Sequence, residues 1–297
     1  MKQGPFEKIK TGFVTPLEPR NSGHVEAEKN MLMQAFCMIS PIVIYMLYAA
    51  MITWLGRYII EQIAGRSEAA ARYIAENGVV LNSIIRMVAL TVAVVAQIPA
   101  FLGEKIIVFP KKEWGCTTDP SVNALRMAKS MICGISCGLT MNIIMTFSGI
   151  VNYSAGYDKI ADRQGSVPII CGILLYGFIS PAAEEFIFRG LVYNRMRRNT
   201  GLYASIILSS LFFGVFHFNI VQGIYGMIMG LLMVWIYERY GSLMYPVAVH
   251  MSTNIVMYLI TKSDVGAWII NTPAMIIITG VIGMVSIYMI GCEKIKS

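Results

Sequence analysis

Residues 199–237 contain no Asp, Glu, Lys or Arg. A charge-free run of 39 residues exceeds one bilayer crossing, because about 20 helical residues span the ~30 Å hydrocarbon core. The run fits two membrane helices joined by a tight turn near residues 219–223. A chain built around such a run is not an ordinary water-soluble enzyme. The composition agrees: 56% of the residues are hydrophobic and 14% are charged, against about 25% charged in a soluble domain. That balance also excludes a disordered chain and a secreted disulfide scaffold.

Six further uncharged runs stand at 30–56 (with Pro41 as an expected kink), 87–103, 130–157, 164–183, 240–261 and 265–292. The second is expected to begin near Val79 with Arg86 inside it, and the fourth to continue past charged residues. The reading is an all-α polytopic transmembrane bundle of about eight spans. Sorting Lys and Arg by connection puts 16 on the side of the termini and 6 on the other, so both termini are expected in the cytoplasm. The expected organisation is a polar, uncleaved N-terminus (1–30), three helices in 31–160 and five in 161–292. The connections near 56–78 and 104–126 are expected to hold short amphipathic interfacial helices.

The net charge of +7 reads as topology. No basic patch is interleaved with aromatics, so membrane lipid is an expected partner and nucleic acid is not. Cysteines 37, 116, 133, 137, 171 and 292 lack metal-motif spacing and read as small buried hydrophobes. The 21 methionines read as adaptable packing, and Gly223, Gly226 and Gly230 as sites of close helix approach.

Function is sought in the exceptions. An ionisable group in hydrocarbon costs at least about 2.5–3.5 kcal/mol on insertion scales, so such groups face a cavity or a partner. The exceptions are Arg86, the segment Glu184-Glu185-Phe-Ile-Phe-Arg189, His217 and His250. Arg86 reads as snorkelling to the nearer interface, and His24 lies in the polar N-terminus. Glu185 and Arg189 are four apart and pair on one helix face. Glu184 points about 100° away, which leaves one carboxylate without a cation, the kind of group a hydrolase needs as a base. Phe213 and His217 share a face, as do His250 and Asn254.

Two imidazoles, a spare carboxylate and an amide from three helices form a set that binds and activates water, alone or with a divalent metal. The amide and an imidazole suit a tetrahedral oxyanion. The implied chemistry is hydrolysis of a carbonyl. Counting 1.5 Å per residue from the cytoplasmic turns puts Glu184, His217, His250 and Asn254 at roughly 22, 27, 13 and 20 Å. That scatter allows convergence near mid-membrane.

The ordered set Glu184-Glu185-x-x-x-Arg189, Phe213-x-x-x-His217 and His250-x-x-x-Asn254 resembles the signature of the CPBP intramembrane peptidases, which include CAAX-processing endopeptidases and bacteriocin-processing and self-immunity (Abi) proteins. The resemblance covers about 168–260. It implies a helical bundle with its site inside the membrane, probing a membrane-associated peptide or protein substrate, in a bacterial cell membrane. By resemblance, Glu184 activates water, with or without His217. His250 and Asn254 stabilise the oxyanion or complete a metal site, and Glu185 and Arg189 hold the helix. The motifs leave a glutamate protease and a metalloprotease both open; candidate ligands for a metal such as zinc are Glu184, His217 and His250, while the HExxH zinc helix is absent. The alternatives are a non-catalytic immunity or sensing protein of the same fold and a proton-coupled transporter. The transporter expects two related halves, which the sequence lacks.

Overall fold

The computed structural model describes residues 31–104 and 119–293. The expected N-terminal segment 1–30 and residues 105–118, including Cys116, lie outside the described residues. Every regular element within them is helical. In chain order these are α1 (Met31–Ala64), α2 (Glu68–Val95), the short α3 (Ile98–Gly103), α4 (Pro120–Phe147), a 3-10 turn (Ile150–Tyr153), α5 (Ala155–Ser166), α6 (Ile169–Thr200), α7 (Leu202–Val215), α8 (Ile220–Tyr240), α9 (Met244–Thr261), α10 (Asp264–Ile270) and α11 (Ala274–Cys292). Among the described residues six helices are long and apolar enough to cross a membrane: α1, α2 continued by α3, α4, α6, α8 and α11. Helix α7 is apolar but has 14 residues, and α9 has 18. The protein is an integral membrane helical bundle.

Several expected boundaries move. The 56–78 connection shrinks to residues 65–67, because α1 runs on to Ala64 and α2 starts at Glu68, capped by the Ser67 hydroxyl. Polar residues continue these helices because backbone hydrogen bonding persists beyond the apolar run. The third span starts at Pro120 under an Asp119 cap, ten residues before the uncharged run, since Arg126 and Lys129 are neutralised by Glu293 at 2.7 and 3.1 Å. It ends at Phe147, not 157. The α7/α8 turn falls at 216–219, where Asn219 caps α8 through Val221 and Gln222. Cys37 and Cys292 are exposed rather than buried.

The exterior is apolar and much of the interior is small or polar. Helix α11 exposes Ile277, Ile278, Val281, Met284 and Val285, while Thr279, Gly283 and Ser286 face inward. This fits a chain solvated by lipid, where packing of small residues, not exclusion of apolar ones, holds helices together. A Cβ on Gly214 would stand 2.5 Å from the Gly223 carbonyl oxygen, so α7 and α8 touch backbone to backbone.

Helix α6 is the central element, contacted by α1, α2, α7 and α9; α4 backs α9 and α11. Two stretches of α6, Ile173–Ile179 and Phe186–Tyr193, are π-helical and flank the α-turn Ser180–Glu185. The wider turns rotate successive side chains, a feature found often at functional sites. One end of the bundle is tied by ions. Arg195 bonds Glu104 and the Cys37 carbonyl, Tyr193 and Arg197 meet Glu238, and Arg239 reaches the Ile290 carbonyl. The N-terminal end of α1 and the C-terminal ends of α6, α8 and α11 therefore gather on one side.

Candidate active site

The site is built where α6, α7 and α9 meet. Glu185 is fully buried, and its Oε1 accepts from Arg189 Nη1 at 2.8 Å, the i,i+4 pairing expected from the sequence. Arg189, itself 1% exposed, lies 4.3 Å from the Phe213 ring centroid and reaches the Gly230 carbonyl at 3.4 Å. Gly230 allows this close approach; a Cβ there would stand 3.4 Å from Arg189 and 3.2 Å from Ser210.

His250 links the two carboxylates. Its Nδ1 lies 2.8 Å from Glu185 Oε1 and its Nε2 lies 3.8 Å from Glu184 Oε2. A carboxylate held by arginine accepts, so Nδ1 donates, and Nε2 is turned toward Glu184. Glu184 does not share the arginine's ion pair. Its Oε1 accepts from the Ser180 hydroxyl at 2.6 Å, which leaves Oε2 facing the imidazole. The 3.8 Å gap is too wide for a direct hydrogen bond. A water about 2.8 Å from each atom would bridge them.

His217 sits where α7 ends. Its Nδ1 donates to the Phe213 carbonyl at 2.8 Å, which leaves Nε2 as the free nitrogen. The Phe213 ring meets His217 edge-on at 5.1 Å and His250 at 5.7 Å, so one aromatic positions both imidazoles. Gly226 makes room for the first; a Cβ there would be 3.3 Å from the His217 ring. The next residue, Phe218, has φ +51°, a left-handed conformation costing a bulky residue of order 1–2 kcal/mol. Asn254, one turn along α9 from His250, donates through Nδ2 to the Tyr176 carbonyl at 3.2 Å. Its second N–H is not used in that bond.

The structure thus brings Glu184, Glu185, Arg189, Phe213 and His250 into direct contact, holds His217 through Phe213, and places Asn254 against α6. Three neighbours were missed from the sequence: Ser180, Tyr176, and Tyr45 of α1, which is 2% exposed and within electrostatic reach of Glu184 and Arg86. Ser180 carried a signal, since it precedes Glu184 by one helical turn. Arg86 does not simply snorkel: half-buried, it lies 5.9 Å from the Tyr176 ring centroid. Among the described residues no three His, Cys, Asp or Glu side chains are grouped to hold a metal ion. Of the candidate ligands, Glu184 and His250 lie 3.8 Å apart, with the far side of the His250 ring bonded to Glu185.

A polar cluster of glutamates and histidines thus lies within a lipid-facing bundle of membrane helices. Residues 166–256 match the family "Type II CAAX prenyl endopeptidase Rce1-like", the stretch that holds all three motifs. The chain is 25% identical over 119 residues to "Putative membrane peptidase YdiL" of Bacillus subtilis (strain 168), covering 40% of this chain and 48% of that relative. It is 25% identical over 116 residues to "UPF0177 protein YxdF" of Lactococcus lactis subsp. lactis (strain IL1403), covering 39% and 64%. The aligned region thus spans about half to two-thirds of the relatives' length. No solved structure matches. The match over residues 166–256 agrees with the resemblance that the three motifs carry.

Proposed function

We propose that this chain is an intramembrane endopeptidase that hydrolyses a peptide bond of a membrane-associated substrate, either a CAAX-type tail or a bacteriocin or leader peptide, by direct activation of water. The observation that carries the reading is the placement of Glu184 Oε2 at 3.8 Å from His250 Nε2, with the far side of the imidazole bonded to Glu185 at 2.8 Å. Water held between them gives a proton to Glu184 as its oxygen attacks the scissile carbonyl carbon. The C=O π electrons move to the oxygen, and the second N–H of Asn254 is the donor for that oxyanion. Collapse breaks the C–N bond, and Glu184 returns the proton to the leaving nitrogen.

His250 acts here as an acceptor that aligns the water, because its Nδ1–H is committed to Glu185; His217 supplies a second imidazole against the same Phe213 ring. Glu185 and Arg189 are positioning residues. We also propose eight crossings, with α7 and α9 completing the count, and both termini in the cytoplasm. The gathering of α1, α6, α8 and α11 ends beside Arg195, Arg197, Arg198 and Arg239 supports that orientation. In this arrangement 161–292 carries the chemistry and 31–160 completes the bundle of a bacterial cell-membrane protein.

The test is reconstitution of the purified protein with membrane-anchored peptides. Wild type should yield two fragments whose masses sum to the substrate plus one water. His250→Gln should slow this by about a hundredfold or more. Full-rate cleavage by His250→Gln, or intact peptides after wild-type incubation, would refute the proposal.

A further inference from the structure

A second polar site lies outside the Glu184 cluster, in the seam between α1 and α2. A cavity of about 400 Å³ is lined by Ala49, Ala50, Thr53, Arg57, Arg86 and Leu90, with Trp54 on its rim. Two arginines and no acidic residue line it. Among the described residues no carboxylate ion-pairs with Arg57 or Arg86, although Glu61 lies one turn beyond Arg57. Two arginines lining one open cavity form a site for an anion, and the planar guanidinium fork suits phosphate oxygens in particular.

The depth of the cavity identifies the source of that anion. Arg57 is the first charge after the uncharged run 30–56, and the second apolar stretch begins near Val79. A Cβ on Gly56 would lie 2.8 Å from Ile85, so Arg86 sits level with the end of the first run. The Trp54 and Tyr58 rings stack at 5.8 Å and are 67% and 48% exposed. Stacked, outward-facing Trp and Tyr beside a cation mark the headgroup level of a bilayer. Below them the outer faces are apolar, with Met51, Leu55 and Val88 exposed. A headgroup phosphate joined to acyl chains covers both surfaces at once, whereas a free anion covers only the first.

We propose that the cavity binds the phosphate of an anionic phospholipid, with Arg57 and Arg86 as its ligands and the acyl chains lying along α1 and α2. Basic pockets between membrane helices at headgroup depth recognise lipids in this way. Arg86 also packs on Tyr176, whose carbonyl accepts from Asn254. The lipid therefore braces α2 against the helix that carries the glutamates. This inference does not depend on the peptidase reading.

The test is native mass spectrometry of the full chain in detergent with phosphatidylglycerol or phosphatidylcholine of identical acyl chains. Wild type should retain phosphatidylglycerol preferentially, and Arg57→Gln and Arg86→Gln should each weaken it roughly fivefold. Arg57 is exposed, so its variant should fold; Ala50→Trp fills the cavity with both arginines kept and should also lose the lipid. Unchanged retention in Arg57→Gln and Ala50→Trp, or equal retention of the two lipids by wild type, would overturn the proposal. Displacement of phosphatidylglycerol by millimolar inorganic phosphate would assign the site to a free anion instead. Displacement by a peptide with a free C-terminal carboxylate, but not by its amide, would assign it to substrate, and either result ends the lipid assignment.

Discussion

Glu185→Leu is the perturbation whose outcome the geometry fixes most tightly. It removes the acceptor of both Arg189 Nη1 and His250 Nδ1, each at 2.8 Å. Arg189 stays 1% exposed, with only the 3.4 Å contact to the Gly230 carbonyl and the Phe213 ring beside it. Stranding one member of a buried pair costs about 3–5 kcal/mol, so the folded-to-unfolded ratio should fall by roughly two to four orders of magnitude. Leucine at both 185 and 189 removes the stranded charge and should recover most of that loss, because buried pairs exchange for apolar ones at little net cost. Activity should not recover with stability, since His250 has lost the partner that fixes its ring and tautomer. The assays are equilibrium unfolding in mixed micelles and cleavage of an anchored peptide by the folded fraction. A double variant as unstable as the single one, or one that cleaves at the wild-type rate, would refute the reasoning.

Four further outcomes follow from single contacts. Ser180→Ala removes the 2.6 Å bond to Glu184; stability should change by about 1 kcal/mol or less while kcat falls, and an unchanged kcat would deny Ser180 a positioning role. Gly214→Ala drives a Cβ to 2.5 Å from the Gly223 carbonyl, so unfolding measurements should show a loss of about 1–3 kcal/mol. Phe218→Gly releases the φ of +51° in a side chain that is 76% exposed, and the thermal midpoint should hold or rise; a clear fall would show that the ring, not the backbone, matters there. Burial pushes the Glu293 carboxyl up, but hydrogen bonds from Arg126 and Lys129 outweigh it and hold the group below its ordinary value of 4.5. A depressed folded value means that this stabilisation is complete above pH 4.5 and fades as pH falls through the lower folded value; Glu293→Gln should flatten that acid limb of the unfolding midpoint.

The membrane class, the order of the spans and the Glu185/Arg189 pair were legible because each rests on a period or a run of residues. An uncharged stretch marks hydrocarbon, and a spacing of four marks a shared helix face. The ends of the helices were less legible. Arg126 and Lys129 lie inside α4 because Glu293, 167 and 164 positions away, neutralises them, and no local pattern shows a partner that distant. The orientation of Glu184 was half legible. Its departure from the Arg189 face and its bond to Ser180, one turn earlier, follow from the helical spacing, but the π-helical turns on either side depend on how α6 packs against α2 and α9. Phe218 gave no signal, since a left-handed aromatic is unexpected on steric grounds. Arg86 was read as an interfacial anchor, and the cavity it shares with Arg57 emerged only once α1 was laid against α2.

The account rests on Glu184 as the group that takes the proton from attacking water, and Glu184→Gln tests it most directly. The substitution keeps the shape of the side chain and an oxygen for Ser180 but removes the basic carboxylate. Purified, folded Glu184→Gln in bilayers should cleave the anchored peptide at least about a hundredfold more slowly than wild type; cleavage within a few-fold of wild type would contradict the account.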